Sequence, residues 1–293
     1  MANSLSQFSS ILRENESLAP FTWLQIGGPT RYLVEPNTAE EASSVLAVCH
    51  EQSIPVRLLG SGSNVLVREA GFAGATMLLS GPCFSSISQA GTLLTCGAGA
   101  KLSHVVGHAV GLGLGGLEHL IAIPGTVGGA VRGNSGSDEG DFSQLIHSAK
   151  ILSKDGSIRV VSRDEMAFTH RASGLDGVAL LEVTIALTES DPELLTKRQQ
   201  TFWILKRRSQ PSFPERAALA FVDPVGHKAS ELIHQAGMLG TVEGAVRMST
   251  TYPNFLVASA GATSGQVITL LERVKQGVLD RSGVQLQQYL QIW

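Results

Sequence analysis

The run Ile123-Pro124-Gly125-Thr126-Val127-Gly128-Gly129-Ala130, followed at once by Gly133-Asn134-Ser135-Gly136, constrains this chain more than any other stretch. Pro124 holds one φ, and the glycines strip side chains from the backbone, so a flat or charged ligand can lie against it. Thr126, Asn134 and Ser135 add hydrogen-bonding groups. A helix starting within Gly128-Gly129-Ala130 would turn its positive end toward an anion such as pyrophosphate. A second such loop, Leu59-Gly60-Ser61-Gly62-Ser63-Asn64-Val65-Leu66, joins two apolar runs. Its Ser61, Ser63, Asn64 and successive N–H groups suit a nest around phosphate, and they suit a tight strand-to-strand turn equally well. It lacks the lysine of a P-loop, which argues against triphosphate hydrolysis. Two loops of this kind fit a long, two-ended ligand better than a lone phosphate.

Gly111-Leu112-Gly113-Leu114-Gly115-Gly116 matches GxGxxG formally. It follows a helical pattern, however, and Pro124 forbids an unbroken helix after it. It reads as a helix end and turn.

Composition narrows the partners. With 22 Lys+Arg against 25 Asp+Glu, the net charge of −3 does not suit a sequence-independent nucleic-acid binder. Hydrophobic residues at 43% and charged residues at 16% allow a large core, and 293 residues suggest two domains. Cys49, Cys83 and Cys96 form neither a disulfide framework nor a zinc pattern, and read as three buried thiols. His104 and His108 stand four apart without a third ligand, so no metal site is expected. The most apolar stretch, Leu112 to Val131, is broken by glycines, Glu118 and Pro124, and Met1 to Phe8 has neither a basic cluster nor an apolar run. No membrane span and no secretory signal are expected, and the chain reads as cytoplasmic.

The pattern predicts strands at Tyr32–Val34, Val56–Leu59, Thr76–Leu79, Leu93–Gly97, Ser148–Leu152, Ile158–Val161 and Ala179–Leu187. Lys154-Asp155-Gly156-Ser157 reads as a hairpin turn with positive φ at both central residues. Helices are expected at Ala39–Gln52 behind a Thr38 cap, at Leu102–Val110, and from Asp191-Pro192 to about Arg208. Beyond Pro211 the texture changes to helix at Ser230–Ala236, strand at Asn254–Ala258, helix at Ser264–Leu279 and a terminal strand at Leu286–Trp293.

Ile26-Gly27-Gly28-Pro29, the Gly60-to-Leu66 loop, Gly116-Leu117-Glu118, the Ile123-to-Ala130 loop, Gly133-Asn134 and Phe168-Thr169-His170-Arg171 occur in order along the chain. In this series the chain resembles the shorter type of UDP-N-acetylenolpyruvoylglucosamine reductase (UDP-N-acetylmuramate dehydrogenase). The resemblance implies an α+β fold: a two-part FAD-binding domain of the vanillyl-alcohol-oxidase type, then a smaller α+β substrate domain. In boundaries this means an N-terminal extension at 1–20, an FAD domain at 21–190 divided near 80, a connecting helix at 191–210 and a substrate domain at 211–293. It implies non-covalent FAD, NADPH as electron donor, and an enolpyruvyl UDP-sugar as the small-molecule partner.

The resemblance also implies site residues. Gly60, Ser61, Gly62, Ser63, Asn64, Pro124, Gly125, Thr126, Gly128, Gly129 and Asn134 would hold FAD, and Arg171 would stabilise the enolate. Phe221 and Pro224 fix the register of Arg216-Ala217-Ala218-Leu219-Ala220-Phe221-Val222-Asp223-Pro224 on the family's Ser-Ala-Gly-Ser/Cys-x-Phe-Lys-Asn-Pro. The proton donor's place is then held by Leu219, the lysine's by Val222 and the asparagine's by Asp223. The second catalytic carboxylate falls on Tyr289. His170 stands where a tyrosine is usual, and Tyr252, ahead of Asn254, stands where a histidine is usual. Leu219 has no exchangeable proton, and Tyr289 cannot supply a carboxylate's charge. Two readings follow: a reductase protonating through Tyr289, Tyr252 or a water near His170, or an FAD-binding paralogue serving in binding, regulation or another oxidoreduction.

Overall fold

The computed structural model describes residues 4–137, 139–211 and 216–293, so the first three positions of the expected N-terminal extension lie outside it. The chain forms two compact units, and neither is a single stretch of sequence. The first gathers residues 1–15, 31–60 and 73–206, and the second gathers 16–30, 61–72 and 207–293.

In the first unit, α1 (Ala39–Glu51) starts where Thr38 accepts a hydrogen bond from the Glu41 amide, with Glu40 and Glu41 in its first turn. Its inward stripe is Ala42, Val45, Leu46 and Cys49 at helical spacing. That stripe packs with Tyr32, Val34, Ala75 and Met77 of a four-stranded sheet ordered Leu12–Ser17, Pro29–Val34, Phe72–Leu78, Val56–Leu59. The last two strands run parallel, Val56 beside Ala75 and Leu59 beside Leu78. The strand at Phe72–Leu78 begins earlier than the apolar pattern of Thr76–Leu79 suggests.

A second, antiparallel sheet is ordered Ile158–Ser162, Ile146–Leu152, Ala179–Ala186, Leu93–Gly97, Ile87–Ala90. The turn before Ile158 differs from expectation: Gly156 has φ +86°, but Asp155 does not take positive φ. The Asp155 carboxylate instead accepts from the Ser157 amide and hydroxyl, an Asx turn that leaves the left-handed work to glycine alone. Helix α2 (Leu102–Gly111) turns Leu102, Val105, Val106, Ala109 and Val110 inward. It ends in a turn at Gly113, φ +71°, and Leu114-Gly115 then forms a short strand. Helix α3 (Val127–Arg132) and helix α4 (Pro192–Arg207), which opens on proline, complete this part.

Cys49 and Cys96 are buried, and burial pushes their thiols up to about 11 and about 12. Cys83 corrects the expectation of three buried thiols. It is exposed, because the tight turn Pro82–Phe84 spends its inward position on Phe84.

In the second unit, Ala217–Leu219, Phe255–Ala258, Val246–Met248 and Val242–Glu243 form an antiparallel sheet. Against it lie α5 (Ala229–Gln235) and α6 (Ser264–Ser282), whose Val267, Leu270, Leu271, Val274 and Val278 are buried. Leu24, Ile26 and Leu66, from the two early stretches, belong to the same core. Helix α6 carries a capping box, Thr263 with Gln266, and runs three residues past Leu279 to stop at Gly283, φ +72°. The expected terminal strand is two short ones: Gln287-Gln288 pairs with Phe221-Val222, and Gln291-Ile292 runs parallel to Val65-Leu66. Among the described residues, no helix is long and apolar enough to cross a membrane.

Candidate functional site

The two glycine-rich loops supply one site region in each unit. In the first unit an open cleft is walled by Leu58, Leu59, Gly60, Leu79, Ala98, Gly99, Thr126, Gly128, Gly129 and Arg132, with Leu175, Val178 and Leu180. Thr126 is the N-cap of α3, its hydroxyl accepting from the Gly129 amide at 3.3 Å. Helix α3 therefore begins inside the glycine run. A Cβ on Gly60 would stand 2.8 Å from Thr126 Oγ1, so a side chain there would displace the cap or fill the cleft. Of the residues expected to hold a cofactor, this cleft brings together Gly60, Thr126, Gly128 and Gly129. Pro124 and Gly125 (φ +125°) precede it and do not line it. Ala98, Gly99 and Arg132 line it without having been singled out in the sequence. The alternation Gly97-Ala98-Gly99-Ala100 is a small-residue signal that points to close approach. Arg132 is paired with Asp176 at 2.9 Å and also donates to the Leu175 carbonyl.

Asn134 is buried, and its side chain is engaged on both ends. Oδ1 accepts from the Ser143 amide at 3.0 Å, and Nδ2 donates to the Thr169 carbonyl at 2.8 Å. It thus supports the tight turn Thr169–Ala172, at whose tip His170 is exposed. Arg171 follows with φ +58°, a left-handed conformation costing a side-chain-bearing residue roughly 1–2 kcal/mol. Its guanidinium donates to the Gly136 carbonyl at 2.9 Å, which ties the turn to the glycine segment after Asn134. Held strain of this kind is characteristic of functional positions. Nearby in sequence, Glu118 is buried and accepts from the Gly116 amide. His119 stacks edge-on against Phe202, and burial lowers its imidazole below the usual 6.5.

In the second unit, Ser61–Asn64 forms the other loop. The strands it joins lie in different sheets, so it is not the turn of a hairpin. Gly62 has φ +65° and sits so close on Phe21 that a Cβ would be 2.0 Å from that residue's carbonyl oxygen. Its own carbonyl accepts from the Trp23 amide. Asn64 donates from Nδ2 to the Tyr289 carbonyl at 3.0 Å, while its main-chain carbonyl accepts from the Gln291 amide. The Tyr289 amide in turn donates to the Ala220 carbonyl. The backbone of Tyr289 is thereby fixed between Asn64 and the residue after Leu219.

Leu219 is half-buried and pairs with Phe255 across the sheet. Tyr252 packs edge-on against that Phe255, and the Ser249 hydroxyl accepts from its amide. Asn254 is buried and clamps the adjoining strand, accepting from the Phe221 amide and donating to the Phe221 carbonyl. Asp223 caps α5 through the Ala229 amide at 2.8 Å and pairs with Lys228 at 3.5 Å. Lys228 was not singled out in the sequence. It lies five positions beyond an aspartate whose partner only the chain's return reveals.

The sequence model of an FAD binding domain family matches residues 30–162, and that of the UDP-N-acetylenolpyruvoylglucosamine reductase C-terminal domain matches residues 210–293. A UDP-N-acetylenolpyruvoylglucosamine reductase of Rhodopirellula baltica is 43% identical over 97% of this chain and 93% of that protein. A second, from Symbiobacterium thermophilum, is 36% identical over 96% of this chain and 92% of that one. The crystal structure of the reductase from Thermus caldophilus superposes with a TM-score of 0.84 at 30% identity, over 96% of this chain and 99% of that chain. The chain therefore belongs to the UDP-N-acetylenolpyruvoylglucosamine reductase family.

Proposed function

We propose that this protein is an FAD-dependent reductase that takes hydride from NADPH and delivers it to an enolpyruvyl UDP-sugar, a cytoplasmic step in the synthesis of peptidoglycan precursors. The observation that carries the proposal is the cleft at Gly60 and Thr126. Bare main chain, a capped helix start and apolar walls are built into one wall system, and a single methyl on Gly60 would obstruct it. These residues fit the group: Gly60, Gly99 and Gly128 leave main chain bare for a close approach, and Leu58, Leu79, Val178 and Leu180 offer apolar surface to a ring. Gly60, Ser61, Gly62, Ser63, Asn64, Pro124, Gly125, Thr126, Gly128, Gly129 and Asn134 are its proposed holders or supports. Bound there, FAD supplies the hydride relay between the two substrates.

The chain's own residues do the rest. Arg171, anchored on Gly136, presents a fixed positive charge for the negative charge that develops on the substrate's carboxylate-bearing carbons. His170, Asp223, Tyr252 and Asn254 belong to the proposed sugar-binding region, with Asn254 supporting the strand at Phe221 and Asp223 the start of α5. Leu219 gives no proton, so the protonating group is a hydroxyl, Tyr252 or Tyr289, or water. General acid catalysis is worth about 10²–10⁴-fold, and the proposal therefore includes a slow protonation step.

Purified protein should be yellow, with a flavin spectrum that NADPH bleaches. Adding enolpyruvyl-UDP-GlcNAc without oxygen should restore the colour. Failure to bind FAD defeats the proposal. Reoxidation by oxygen but not by the sugar favours the second reading, a flavin-binding paralogue, which the leucine at position 219 also favours.

A further inference from the structure

Residues 173–178 supply Leu175 and Val178 to the lining of the cleft at Gly60 and Thr126. Leu175-Asp176 stands between two glycines, Gly174 and Gly177, the second at φ +74°, so its own backbone sets its course only weakly. The course is set from outside by Arg132, the last residue of α3. The Ser173 hydroxyl donates to the Arg132 carbonyl at 2.9 Å. The guanidinium donates to the Leu175 carbonyl at 3.3 Å and to the Asp176 carboxylate at 2.9 Å. Arg132 is also the one charged side chain among the described residues that line the cleft. The pair lies largely in water, with the Arg132 side chain 48% exposed and that of Asp176 91%. An ion pair so placed is weak and is screened by salt. A ligand seated in the cleft changes that by displacing water from the arginine, because the same charges attract more strongly where the dielectric constant falls.

We propose that Arg132 is a positioning residue for the cofactor: with Asp176 it forms a clasp that holds residues 173–178 against bound FAD and slows its release. The clasp rests on the FAD reading above, and every residue of it belongs to the first unit. Linkage makes the effect mutual. Occupancy strengthens the pair by drying Arg132, and the closed pair holds the occupant by the same factor. A lone cation on a cleft wall has one other role open to it, direct contact with a phosphate. The two roles make opposite demands on Asp176. A clasp needs the aspartate, whereas a phosphate contact gains when the aspartate is removed, since the guanidinium is then undivided.

The test follows FAD release on dilution, by flavin fluorescence, from wild-type protein, Arg132→Met, Asp176→Asn and the double variant. Methionine keeps an unbranched apolar stem in the arginine's place. Each single change should speed release about three- to tenfold, and the double variant should be no faster than the singles. Raising salt from about 0.05 to about 0.5 M should speed release from the wild type and leave the variants unchanged. In FAD-free protein the Gly177 and Val178 amides should exchange faster in Arg132→Met than in the wild type, which reads the clasp without the cofactor. Release from Asp176→Asn at or below the wild-type rate overturns the proposal and makes Arg132 a direct phosphate contact. Additive acceleration in the double variant, or amide exchange unaltered by Arg132→Met, also overturns it. Should Arg132→Met lack a native circular-dichroism spectrum, Asp176→Asn, which removes a charge and no volume, decides alone by its release rate, its salt response and the same two amides. Wild-type release from folded variants defeats the clasp and leaves the FAD reading intact. Wild-type protein that binds no FAD defeats both.

Discussion

At the scale of single residues, chemistry and support are divided between neighbours. Asn134 and Asn254, both expected in contact with ligands, spend their amides on Ser143 and Thr169, and on Phe221. Leu219 and Tyr289 stand where a proton donor and a carboxylate are expected. The double change Leu219→Ser with Tyr289→Glu should therefore raise turnover of enolpyruvyl-UDP-GlcNAc by about 10²–10⁴-fold, read as steady-state NADPH oxidation. An unchanged rate would place the defect at Val222 or Asp223 instead. Gly60→Val should abolish the flavin spectrum of purified protein, because its side chain must take the space beside Thr126 Oγ1. Retention of a full complement of FAD would show that the cleft is not the cofactor's. Glycine and threonine announced this cleft in the sequence because their positions report backbone shape directly. The Asn64–Tyr289 bond was not legible, since its partners stand 225 residues apart and nothing local marks them.

At the scale of elements, the well-capped helices were readable and the short strands were not. Helix α1 carries its start signal and its apolar stripe in adjacent residues, and the expected span is off by one residue. Helix α6 runs to Ser282 because Gly283, and not the last apolar residue, ends it. Pairs such as Leu114-Gly115 or Gln291-Ile292 are too short to show a period, and tertiary partners alone make them strands. The start of α6 is also fastened by Glu69, whose carboxylate accepts from the Ser264 amide and hydroxyl. Burial works against ionisation there, yet these bonds hold the carboxyl below its usual 4.5. This fastening is complete above the unfolded value and is lost as pH falls through the folded one. Protection of the Ser264 amide from exchange should therefore fall on acidification below about pH 4.5, and Glu69→Gln should show weaker, pH-independent protection. Unaltered protection in the variant would assign the anchoring to the Thr263–Gln266 box alone.

At the scale of the whole molecule, the interleaving of the two units was the hardest property to foresee. A linear reading places a boundary near residues 191–210, and such a reading has no means of sending residues 16–30 and 61–72 to join the C-terminal stretch. Hydrophobic pattern identifies what is buried but not with whom. Leu24, Ile26 and Leu66 look like any other apolar residues until they appear in the core of α5 and α6. Residues 207–293 expressed alone should accordingly behave as a molten chain, with broad amide resonances and strong dye binding. A sharp cooperative melt of that fragment would show that the early stretches are dispensable to its core.

The parallel pairing of Gln291-Ile292 with Val65-Leu66 carries a consequence for biosynthesis. During translation, the loop bearing Asn64 emerges long before its partner at position 289 exists. At about 5–20 residues per second, roughly ten to forty-five seconds separate the two. Throughout that interval Leu66 must wait with an unfinished edge, so nascent chains of this protein should be clients of ribosome-associated chaperones until Gln291-Ile292 emerges to pair with it.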